Sequence, residues 1–215
     1  MRTSVILLFI LCISFCASYA QKVALLHYEG GGDWYSNPSS LPNLINFTNQ
    51  YTRTVINTTI EEVKPSSSDL FDYPYIFATG HGNILFSDRD IQNLRIYLLS
   101  GGFLHIDDNY GMTPYAKREI KRLFPEKELV ILGTDHSIFK EPFQFPEGLP
   151  KIHEHDGKQP QAFGLFEGDR LILLLTTECD LGDGWEDREV HNNSDAIREK
   201  ALKIGANILY YIFTK

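Results

Sequence analysis

The feature that most limits what this chain can become is a set of short apolar runs without polar alternation. They lie at residues 22–28 (K-V-A-L-L-H-Y), 75–79 (Y-I-F-A-T), 103–106 (F-L-H-I) and 171–177 (L-I-L-L-L-T-T). A strand with one wet face alternates apolar and polar residues. A strand covered on both faces does not, and covered strands are typical of parallel sheets flanked by helices. Helical segments fall between the runs. Residues 41–51 read as one helix. Ser87, with Asp90 three residues on, has capping-box spacing and opens a second, whose apolar stripe is Ile91, Leu94, Tyr97 and Leu98 and whose stop is Gly101-Gly102. Residues 113–123 make a third, ended by Pro125. Asn193 or Ser194 caps a last one whose Ile197, Ala201, Ile204, Ile208 and Ile212 face inward. Further strands are expected at 58–63, 129–132 and 162–166, the last turning through E-G-D-R into 171–177. The alternation predicts one α/β domain over residues 21–215, a three-layer, doubly wound, mostly parallel sheet with an antiparallel pair near the end. Residues 135–160 contain four prolines and read as loops.

The first twenty residues have a different character. Arg2 gives a positive start, residues 5–16 are almost unbroken hydrophobic, and Ser18-Tyr19-Ala20 sets small residues at the −3 and −1 positions. That layout predicts a secretory signal peptide over residues 1–20, with the mature protein exported to a periplasmic or extracellular location. Cleavage after Ala20 removes two of the three cysteines and leaves Cys179 with no internal partner. No later apolar stretch has the length of a membrane span, so the mature form is expected not to cross a bilayer. The balance of 20 Lys+Arg against 28 Asp+Glu argues against nucleic acid as a partner, since non-specific binding needs a basic face.

In an open parallel sheet, ligands bind beyond the C-terminal ends of the strands. Those ends carry Glu29, Asp33 and Trp34; His81; Asp107 and Asp108; Asp135 and His136; and Glu178, Asp180, Asp183 and Trp185. If the strands are parallel neighbours, Asp33, Trp34, His81, Asp107, Asp108, His136, Asp183 and Trp185 line one crevice. Three readings use it. His81, Asp108 and His136 suit a divalent metal such as zinc or manganese, although their spacing matches no compact metal signature. Against that, Asp107 or Asp108 can simply cap the following turn. Trp34, Tyr35, Tyr110 and Trp185 suit stacking on a small polar ligand or a carbohydrate without turnover. Nucleophilic catalysis has the least support, because Cys179 sits between two acids that raise a thiol pKa and no G-x-S-x-G is present.

Weaker signals remain. Gly30-Gly31-Gly32 lacks dinucleotide-binding spacing and reads as a flexible turn. His153-Glu154-His155-Asp156 reads as a solvated loop, although an extended backbone there would put both imidazoles on one side. Residues 180–187 (D-L-G-D-G-W-E-D) have the composition of a calcium loop without EF-hand spacing. Glycosylation sequons stand at Asn46, Asn57 and Asn192.

Taken in order, Y-E-G-G-G-D-W-Y at 28–35, S-L-P-N-L at 40–44, T-G-H-G at 79–82, G-G-F-L-H-I-D-D at 101–108, D-H-S-I-F at 135–139 and D-L-G-D-G-W at 180–185 resemble a bacterial family, domain of unknown function 4159 (DUF4159). The resemblance spans nearly all of the mature chain and implies a flavodoxin-like fold, similar to class I glutamine amidotransferases. Amidotransferase chemistry does not carry over, because the turn that holds the cysteine nucleophile in those enzymes is D-D-N-Y-G at 107–111 here. The family has no established activity. The expected function is a ligand-binding or accessory protein of the cell envelope. A metal-dependent hydrolase using the same His and Asp groups is the alternative, and a module that binds an envelope protein partner is a further one.

Overall fold

The computed structural model describes residues 20–215, so the expected signal peptide, Ala20 apart, lies outside the described residues. Strands β1 (Val23–Leu26), β2 (Glu61–Val63), β3 (Tyr75–His81), β4 (Phe103–Tyr110), β5 (Val130–Ile131), β6 (Gln161–Glu167) and β7 (Arg170–Thr177) form one sheet in the order β2-β1-β3-β4-β7-β6-β5. The first five in that order run parallel, β6 is antiparallel to β7, and β5 is antiparallel to β6. The helices are α1 (Ser40–Tyr51), α2 (Asp88–Leu99), α3 (Thr113–Leu123), α4 (Leu181–Trp185), α5 (Arg188–His191) and α6 (Asp195–Thr214).

The absence of alternation in the central strands follows from two cores, one on each face. Ile76, Ala78, Leu104 and Ile106 point to the side where α2 and α3 contribute Leu94, Leu98, Ile120 and Leu123. Tyr75, Phe77 and Phe103 point to the other, against Leu44 and Ile45 of α1 and Ile204 and Ile208 of α6. Each such buried aliphatic side chain contributes about 1.5–3 kcal/mol relative to exposure. Capping matches the sequence pattern. Asp90 N–H donates to Ser87 Oγ at 3.2 Å while Ser87 N–H donates to Asp90 Oδ2 at 2.9 Å, and Ile197 N–H donates to Ser194 Oγ at 3.3 Å.

Two expectations need correction. β4 runs on to Tyr110, so Asp107 and Asp108 lie within the strand rather than after it. β5 is not a parallel neighbour of the central strands, because the β6–β7 hairpin folds back beside β4 and puts β6 between β7 and β5. α4 and α5 follow β7 in a stretch whose sequence carries no helical periodicity.

Candidate functional site

Asp107 and Asp108, adjacent in β4, point to opposite faces and do different work. Asp108 takes hydrogen bonds from Met112 N–H at 2.8 Å and Thr113 N–H at 2.7 Å, and from the Thr113 hydroxyl, so its carboxylate caps the start of α3. Asp107 is fully buried. Its Oδ1 accepts from the Thr176 hydroxyl at 2.5 Å and its Oδ2 from Gly182 N–H at 2.7 Å. Burial pushes its carboxyl up to about 7 against those two donors, with Asp180 and Asp183 adding to the rise. A polar chain continues inward: Thr176 Oγ1 lies 2.9 Å from His105 Nε2, and His105 Nδ1 lies 2.9 Å from Tyr75 Oη. Burial lowers His105 to about 3, so this imidazole is neutral.

The loop after β1, the end of β3, β4 and α4 meet in a second buried network. Asp183 Oδ1 accepts from Asn37 Nδ2 at 2.6 Å and from Asn109 Nδ2 at 2.9 Å. The Thr79 hydroxyl stands 3.1 Å from Asn37 Oδ1 and 2.8 Å from Asn109 Oδ1. Close approach here depends on glycine. A Cβ on Gly80, whose φ is +135°, would lie 2.6 Å from Tyr28 Oη.

Three histidines surround the same carboxylates. His153 Nδ1 is 3.2 Å from both Asp180 Oδ2 and Asp183 Oδ2, His155 Nε2 is 2.5 Å from Asp180 Oδ2, and His191 Nε2 is 3.7 Å from Asp183 Oδ1 and 3.4 Å from Glu186 Oε2. The hydrogen bonds to Asp180 and Asp183 push His153 up to about 10. Burial raises the Asp183 carboxyl, but His153, Asn37 and His191 outweigh it and hold the group below the usual carboxylate range. One ligand atom each from His153, Asp183 and His191 lies within 4.8 Å of the others, which makes these the residues able to share a metal ion. Among the described residues, Asp180 Oδ1 and His191 Nε2 are buried with no hydrogen-bond partner.

The expected crevice is therefore only partly assembled. Asp107 meets the segment that carries Asp183, through Gly182 N–H. Asp33 and His81 pair with each other, Oδ2 to Nδ1 at 3.0 Å. Trp34 stacks on His27 with ring centroids 4.1 Å apart. Trp185 is no ligand wall: it is wholly buried, and its indole N–H donates to Ala201 O at 2.7 Å. His136 is not brought to His81 and Asp108. It precedes the short 3-10 turn Ser137–Phe139, and its ring packs on Phe166 and on Tyr211. Tyr211 lines a cavity with Phe103 and Arg170, at the N-terminal ends of β4 and β7. His81, Asp108 and His136 are thus not brought together: Asp108 is engaged at α3, and His136 sits toward the opposite end of the sheet, against Tyr211. His153, His155 and His191 are the residues that sequence reasoning missed. The one signal for them was the H-x-H spacing at 153–155.

Beside the histidines a cleft of about 480 Å³ opens over the ends of β4 and β7. The half-exposed Tyr110 ring lies against the His155 ring at 4.6 Å, and its hydroxyl donates to Asp156 Oδ1 at 3.1 Å. Lys117, Lys158, Gln159, Gln161 and Glu178 complete much of the wall. Glu178 has a left-handed backbone, with φ of 60°, and among the described residues its buried Oε2 has no hydrogen-bond partner. Lys151 Nζ, 3.8 Å away, lies beyond hydrogen-bond reach.

Fold and site together define a mixed α/β domain with a mostly parallel sheet and a His- and Asp-lined region at the strand ends. The chain belongs to the family described as "Domain of unknown function (DUF4159)", whose model matches residues 22–213. No curated protein matches it. Among the described residues, no helix is long and apolar enough to cross a membrane.

Proposed function

We propose that this protein is an exported, ligand-binding domain of the cell envelope, and that its ligand is an uncharged, hydroxyl-rich molecule such as a short saccharide. The export reading rests on Arg2, the apolar run at 5–16 and Ser18-Tyr19-Ala20, and the envelope role follows from it. The strand order supports a flavodoxin-like reading of the fold. Its parallel strands, with the β5 and β6 edge set aside, follow the order of that class.

The observation that carries the ligand reading is the cleft between Tyr110 and Glu178. Its volume lies in the range of small-molecule sites, about 300–1,000 Å³. An aromatic face on one side offers stacking, and the Glu178 carboxylate on the other accepts a hydrogen bond from a donor. Hydroxyl groups supply that donor without bringing a charge among Lys117, Lys158, Asp156 and Glu178. Saturation-transfer NMR with maltose, cellobiose and diacetylchitobiose tests the reading. Transfer is expected for at least one disaccharide, with binding weakened about 3- to 10-fold by Tyr110→Ala, the worth of one aromatic contact. No transfer from any of the three, or transfer that Tyr110→Ala and Glu178→Gln both leave unchanged, refutes it.

A further inference from the structure

The geometry points to a site for one divalent transition-metal ion, held by His153 Nδ1, His191 Nε2 and the Asp183 carboxylate. It goes beyond the saccharide cleft and does not depend on it. Two imidazoles and a carboxylate with positions left open form a donor set that zinc, manganese and ferrous iron accept. Calcium prefers oxygen alone.

The spacing fits ligands around one ion as well as it fits ion pairs, with one atom from each of the three residues within 4.8 Å of the others. Donors about 2.0–2.1 Å from a tetrahedral zinc stand ~3.3 Å from one another. His153 Nδ1 to Asp183 Oδ2 is 3.2 Å, and His191 Nε2 to Asp183 Oδ1 is 3.7 Å. His191 supplies the decisive detail. Its Nε2 is buried beside Asp183 and Glu186 yet makes no hydrogen bond to either, among the described residues. A ring nitrogen placed there only to pair with a carboxylate would close to hydrogen-bond distance. A second, independent atom is Asp180 Oδ1. The Asp180 side chain is 1% exposed and turns its Oδ2 to His153 at 3.2 Å, while its Oδ1 has no partner among the described residues.

The surroundings orient these donors as metal-site supports do. His153 Nε2 lies 3.2 Å from Asn193 Oδ1; the proton donated there leaves Nδ1 as the ligating nitrogen. Asn37 and Asn109 fix the Asp183 carboxylate from behind. Ser39 N–H and its hydroxyl, both at 3.0 Å, hold Glu186 Oε1, which leaves Oε2 toward His191 as a further oxygen donor.

The test uses tag-free full-length protein stripped with a chelator and titrated with Zn²⁺ by calorimetry, with Ca²⁺ in parallel. One Zn²⁺ per chain is expected. His153→Ala and His191→Ala should each weaken it at least 10-fold, while His81→Ala leaves it unchanged. Zinc should raise the melting temperature of the wild type and not of His191→Ala, and calcium should raise neither. Where a variant fails to fold, ring-nitrogen NMR of the wild type decides. Zinc must shift the His153 and His191 signals and spare those of His81 and His136. Absence of stoichiometric zinc, binding that survives the double His153→Ala/His191→Ala change, or ring shifts at His81 or His136 instead overturns the proposal.

Discussion

Replacing Asp107 by asparagine should make the protein more stable at neutral pH. Asp107 carries no solvent exposure, and its carboxyl is pushed from 3.8 to about 7. Between those values the folded chain holds a proton that the unfolded chain has released. Stability from this group is therefore full below about pH 4 and falls as pH rises toward 7. At 1.36 kcal/mol per pH unit, a rise of about three units makes the loss of order 4 kcal/mol. Asparagine has the shape of the neutral acid. Its carbonyl can accept from Gly182 N–H, and its amide can donate to the Thr176 hydroxyl in place of the bond now made at 2.5 Å. Urea denaturation of both proteins at intervals from pH 4 to 8 gives the difference directly. The variant should match the wild type within about 1 kcal/mol at pH 4 and exceed it by about 2–4 kcal/mol at pH 8. A difference that is flat with pH, or that shifts toward the wild type as pH rises, would refute the burial argument.

Two further substitutions test assignments made above. Asp108→Ala removes the acceptor for Met112 N–H and Thr113 N–H and should cost about 0.5–2 kcal/mol, read by denaturation, with zinc binding unchanged. Trp185→Ala empties a buried space between α1, β3 and α6 and should cost about 3–5 kcal/mol by the same measurement, far more than loss of an exposed ligand-stacking ring.

The elements were legible because their signals are local. Ser87 with Asp90, Gly101-Gly102 and Ser194 fixed helix ends through hydrogen bonds spanning three to five residues. The runs at 75–79 and 171–177 stayed apolar because both faces of the sheet are covered. α4 escaped because five residues with glycine at 182 and 184 carry neither periodicity nor helical propensity. β5 was misplaced because nothing in residues 129–132 states which strand they pair with; the β6–β7 hairpin decides that. The site divides the same way. Asp107 and Asp183 were singled out from the rule that parallel strands point their C-terminal ends at ligands. His153, His155 and His191 come from a loop and a four-residue helix, α5, and tertiary contacts with Asp180, Asp183, Glu186 and Tyr110 set their approach. His136 and Trp185 mark the reverse error. Their positions in the chain suggested a strand-end crevice, while their apolar contacts draw them to Tyr211 and to the core.

Where the ligand sits is best measured by a backbone-amide NMR titration of the wild-type protein with the disaccharide that gives saturation transfer. Binding in the cleft predicts shifts confined to the residues that wall it, among them Asn109, Tyr110, Lys117, Gln159, Gln161 and Glu178. Shifts centred on Asp33 and His81, or on the cavity lined by Phe103, Arg170 and Tyr211, would contradict that placement. So would a titration with no shifts.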